Sequence, residues 1–123
     1  MIIHQPEIIT KDGNAILGSK IELDKKRDDF PDYLWYRVPE QYAAYLYPQS
    51  DAFLVSSLLA AMHFGEDIHV RGTISPCLAY HLDEYQFLLN FRMPNVVHPV
   101  SIQYDRLAPI DAKPTGVGST FSG

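Results

Sequence analysis

Residues 52–64, AFLVSSLLAAMHF, set the tightest limit on what this chain can fold into. Ser50 and Asp51 supply capping groups ahead of the run, and Gly65 supplies a left-handed stop just beyond it. Between these signals the segment is apolar nearly all round, not along one stripe. A helix of that kind needs cover from several sides, so it is expected at the centre of the core. It is too short to span a bilayer, and Ser56 and Ser57 interrupt it.

The other segments are assigned by period and punctuation. Ile2, Ile3, Ile8 and Ile9 read as β, and Asp12-Gly13 suits a tight hairpin turn. Ala15, Leu17, Ser19, Ile21 and Leu23 then alternate with a wetter set, Ile16, Gly18, Lys20 and Glu22, which is the period of a half-buried strand. Residues 24–32 are charged and contain Pro31, so they form a loop. Its Lys25-Lys26-Arg27 cluster is followed by Asp28 and Asp29 and reads as solvated. YLWYRV, residues 33–38, is apolar on both faces apart from Arg37 and suggests a strand buried on both sides.

Pro39 ends that strand and opens a short helix, EQYAAYL, which Pro48 stops. DIHVRGTI is a strand with Ile68 and Val70 on one face and His69 and Arg71 on the other. Ser75-Pro76 caps a third helix in which Leu78, Leu82, Tyr85 and Leu89 repeat through about Arg92. Val100, Ile102 and Tyr104 alternate with Ser101, Gln103 and Asp105 in a last strand, where Pro99 suggests an edge. The order is β-hairpin, β, α, α, β, α, β. The expected fold class is α+β: a mixed or antiparallel sheet packed against about three helices, with its domain at residues 1–108. Residues 109–123 read as a linker and a following strand.

The 123 residues suit one domain, and a content of 46% hydrophobic residues suffices for a core. A net charge of −5 without a basic patch argues against a nucleic-acid partner. The N-terminus lacks a basic region and a long apolar run, so neither a signal peptide nor a membrane association is expected. A lone cysteine, Cys77, excludes an internal disulfide. Together these features predict a soluble cytoplasmic protein.

Three sets of residues carry possible chemistry. Cys77 and His81 share a face of the third helix, with Cys77 in the first turn, where the helix dipole favours a thiolate. They are the candidate catalytic residues as nucleophile and base; the competing reading is a small hydrophobe beside an unrelated imidazole. His4, His63, His69, His81 and His98 form no close-spaced ligand pair, so no metal site is expected, and Asp83-Glu84 reads as a solvated face. Tyr33, Trp35 and Tyr36 with Tyr42, Tyr45 and Tyr47 read as core packing with phenols reaching solvent, or else as a partner surface.

The tail, GVGSTFSG, residues 116–123, resembles the start of the phosphate-binding PP-loop of the N-type ATP pyrophosphatases, in the adenine nucleotide alpha hydrolase-like superfamily. That loop reads Ser-Gly-Gly-x-Asp-Ser after an apolar strand. YRVPEQYAAYLYPQSDAFLVSSLLAAMHFGEDIHVRGTISPCL and VSIQYDRLAP also resemble the N-terminal region of bacterial proteins carrying such a domain, and the resemblance covers about residues 34–123. It implies an enzyme that binds ATP, with Mg, and activates a substrate by adenylation. Only Ser122 and Gly123 match the motif, as cofactor-binding residues of an incomplete loop. The resemblance therefore implies that this chain is an N-terminal accessory domain, without cofactor of its own, whose partner is a missing C-terminal PP-loop domain. A homo-oligomer through an exposed apolar face is a further expected partner, and a free-standing binding module and a small Cys/His enzyme are the other readings.

Overall fold

Asp12 (φ 51°) and Gly13 (φ 72°) both take left-handed backbone conformations, and so they fold the chain into a tight hairpin. The turn joins β2 (Glu7–Lys11) to β3 (Asn14–Glu22). The structure is a computed structural model, and it describes residues 1–110. β3 organises the antiparallel part of the sheet. It pairs with β2, with β4 (Tyr33–Pro39), and through Ile21 and Glu22 with β1 (Ile2–Ile3). β1 pairs in parallel with β5 (Ile68–Ile74), and β5 pairs in parallel with β6 (Ile102–Leu107). The result is a mixed six-stranded sheet in the order β2-β3-β1-β5-β6, with β4 on β3.

A 3-10 helix (Glu40–Tyr45) follows β4, α1 (Asp51–Phe64) precedes β5, and α2 (Pro76–Arg92) crosses from β5 to β6. The described residues thus form an α+β fold with two α-helices and one 3-10 helix. Two caps work as the punctuation suggests, whereas Ser50 stands at the start of α1 without a side-chain capping bond and Asp51 accepts the Ser75 N–H instead. Gly65 ends α1 at φ 68°, and the Ser75 side chain accepts the Leu78 N–H at the start of α2. One core forms between sheet and helices: Ile3, Ile21, Val70 and Ile74 meet Phe53, Leu54, Leu58 and Met62 of α1 and Leu82 of α2. The alternation of β3 and β5 holds, since Ala15, Leu17, Ser19 and Ile21, like Ile68, Val70 and Ile74, are buried.

α1 is central to the core, as its apolar run suggests, though from one side: Phe53, Leu54, Leu58, Ala61 and Met62 are at 0% exposure while Val55 and Leu59 stand open. β4 is not buried on both sides, because among the described residues it pairs with β3 alone and nothing covers Tyr33 and Trp35. The aromatic middle is a surface for the same reason: Tyr36, Tyr42, Tyr45 and Tyr47 are all exposed, and the 3-10 helix buries no residue. The Lys25-Lys26-Arg27 cluster is exposed as its sequence suggests, with Arg27 lying 4.0 Å over the Phe64 ring, which also meets Phe30 edge-on.

The N-terminal ammonium is part of the framework. The Met1 side chain is in the core, and its α-amino group donates to the Asp67 carbonyl at 2.7 Å and to Asp24 Oδ1 at 3.2 Å. Glu66 Oε2 lies 3.3 Å from it. Glu66 is the one buried carboxylate among the described residues, and it also accepts the Asp24 and Lys25 N–H groups. A buried carboxylate needs such company to stay charged.

Candidate functional site

The first turns of α1 and α2 meet at the end of β5, tied by a 2.8 Å hydrogen bond from the Ser75 N–H to Asp51 Oδ1. Between them lies a groove of about 620 Å³, lined by Tyr36, Ala52, Val55, Cys77, Leu78 and His81 among others. Tyr36 closes one side, its hydroxyl donating to the Ala52 carbonyl at 3.2 Å. The walls are mostly apolar, so the groove offers contact area and few fixed polar groups.

Cys77 and His81 both line this groove, one turn apart on α2, and Cys77 is exposed. No hydrogen bond joins them among the described residues. His81 Nδ1 instead lies 3.4 Å from Glu84 Oε2, an exposed (i, i+3) neighbour. Glu84 is solvated, as its sequence reading has it, and the contact to His81 that its (i, i+3) spacing allows is the one thing that reading leaves out. The contact is long and solvated, so it fixes the imidazole weakly.

The two converging helix N-termini are poor hosts for phosphate. The carboxylate of Asp51 already occupies the first turn of α1, and Pro76 removes a donor from that of α2. No glycine-rich turn opens either helix. Ser122 and Gly123, with the expected strand at 117–121, lie outside the described residues.

The remaining histidines are dispersed. His63 Nδ1 lies 3.0 Å from the Val96 carbonyl, and His98 is exposed. His4 Nε2 is 3.2 Å from Glu22, and His69 Nε2 is 2.9 Å from Asp105 on the sheet face away from the helices. On that face Lys20 also bonds Glu22, and this holds the Glu22 carboxyl below its ordinary value, with His4 adding to the effect and burial opposing it. Among the described residues no group of three or more His, Cys, Asp or Glu side chains is placed to hold a metal ion. No helix among them is long and apolar enough to cross a membrane.

In comparisons with protein-family models, curated proteins and solved structures, nothing matches this chain.

Proposed function

We propose that this chain is a non-catalytic accessory domain that stands N-terminal to an adenylating, PP-loop ATP pyrophosphatase-like domain, contributing to substrate binding or to domain contacts. The observation that carries the reading is the resemblance of the tail GVGSTFSG to the opening of a PP-loop, placed after an α+β fold. The end of that fold supports it. Among the described residues β6 has β5 as its one strand neighbour and leaves its other edge open. Leu107 and Ile110 are exposed beside it, the latter at 83%. A free edge flanked by apolar side chains is the kind of surface an adjoining domain covers. ATP and Mg belong, on this reading, to the adjoining domain.

The test is to read the coding sequence past codon 123 and to measure ATP binding with and without the added residues. Continuation as Gly-x-Asp-Ser, with ATP binding gained by the longer chain, supports the proposal. A stop codon overturns it. A second reading, a free-standing binding or oligomerisation module, is favoured by the row of exposed aromatics on α2. The small Cys/His enzyme predicts rapid alkylation of Cys77 by iodoacetamide at neutral pH that His81→Ala abolishes, and slow alkylation would sink it.

A further inference from the structure

We infer that the outer face of α2 is a self-complementary interface and that two copies of this chain associate through it, α2 against α2, antiparallel about a twofold axis at Leu88. α2 turns Leu82 and Gln86 to the core. Its opposite side carries Tyr80, Phe87, Leu88 and Phe91, exposed by 83%, 64%, 51% and 71%. Tyr80, Phe87 and Phe91 recur at intervals of seven and four, so they form one stripe directly away from the core. Phe87 and Phe91 stack at 6.3 Å between centroids, which presents them as a single apolar ridge. α2 has 17 residues and is about 25 Å long, and an antiparallel crossing at Leu88 lays its last nine residues, Glu84–Arg92, about 13 Å of helix, against the same nine of the other copy.

Charge selects a second copy as the occupant. Glu84 stands four residues before Leu88 and Arg92 four residues after it. With Leu88 on the axis, Glu84 of each copy faces Arg92 of the other, and the pair forms twice. Arg92 forms no ion pair among the described residues, and Glu84 has only the long contact to His81. A parallel arrangement would oppose like charges, so the pattern specifies antiparallel pairing. The inference does not depend on whether a PP-loop domain follows.

Sedimentation equilibrium of the chain tests it, with Leu88→Asp as the variant that removes the apolar centre. A dimer with a dissociation constant on the order of 100 µM or tighter is expected, and Leu88→Asp, exposed and so compatible with folding, is expected to be monomeric. Glu84→Arg and Arg92→Glu are each expected to weaken association about tenfold, and the double exchange E84R/R92E is expected to restore it. In a Cys77→Ser background, Leu88→Cys is expected to give an intermolecular disulfide under mild oxidation, because the two thiols meet on the axis. A wild-type monomer at millimolar concentration overturns the inference, as does a dimer indifferent to Leu88→Asp or a charge exchange without rescue.

Discussion

The two α-helices begin side by side and bury their inner faces in one core, yet they do different work. α1 places six side chains, Phe53, Leu54, Ser57, Leu58, Ala61 and Met62, fully out of water, whereas α2 buries only Leu82 and Gln86. Their exposed sides differ as well. α1 shows Val55 and Leu59 among small or polar residues, while α2 shows a ridge of aromatic rings. The contrast separates residues that hold the fold from residues available to a partner. Hydrophobic character alone does not make that separation, since Phe53 and Phe87 are the same amino acid with opposite fates.

Truncation should divide the helices most sharply. Phe53→Ala or Leu58→Ala is expected to cost about 3–5 kcal/mol in urea unfolding, since each leaves a cavity in a packed core. Phe87→Ala measured in dilute solution is expected to change stability by less than about 0.5 kcal/mol. Equal losses would erase the distinction. The core also rests on a charge. Glu66→Ala leaves the Met1 ammonium without its buried carboxylate and is expected to cost about 3 kcal/mol. Acetylating the α-amino group is expected to produce much of the same loss, and denaturant midpoints compare the two directly.

Smaller effects sharpen the contrast between the helix ends and their middles. Gly65→Ala, at φ 68°, and Ser75→Ala, which loses the bond to the Leu78 N–H, are each expected to cost about 1 kcal/mol in thermal or urea unfolding. Ser57 is buried in α1 with a hydroxyl that has no partner among the described residues, so Ser57→Ala is expected to stabilise by about 1 kcal/mol. The least effect belongs to the polar sheet face. The Glu22 carboxyl is held below 4.5 by Lys20, so its contribution is complete above 4.5 and is lost as pH falls through its lower folded value. A stability profile of Glu22→Gln should therefore lack that acid-range loss.

Much of this molecule was legible before folding was considered, for reasons that are local. The Asp12-Gly13 turn, the Gly65 stop, the Ser75-Pro76 start and the alternation of β3 each depend on backbone conformation or on neighbours a few residues away. The placing of Cys77 and His81 on one side of α2 was legible for the same reason, since helical spacing alone brings them to a common groove. The contact of His81 with Glu84 depends on rotamers, and the groove itself depends on α1 arriving beside α2. Neither is written in spacing.

The errors were chiefly errors of cover. β4 and α1 are apolar on two sides in the sequence, and only the tertiary arrangement leaves one side of each open. Glu66 beside the helix stop looks like an ordinary surface residue until the chain's own ammonium comes to it from a distant position. Sequence by itself determined where the elements begin and end and that they form an α+β domain, because capping, turn geometry and periodicity act over one or two turns of chain. The tertiary structure decided which apolar faces are spent on the core and which stay outward, because burial belongs to a pair of surfaces and one segment carries only half of it.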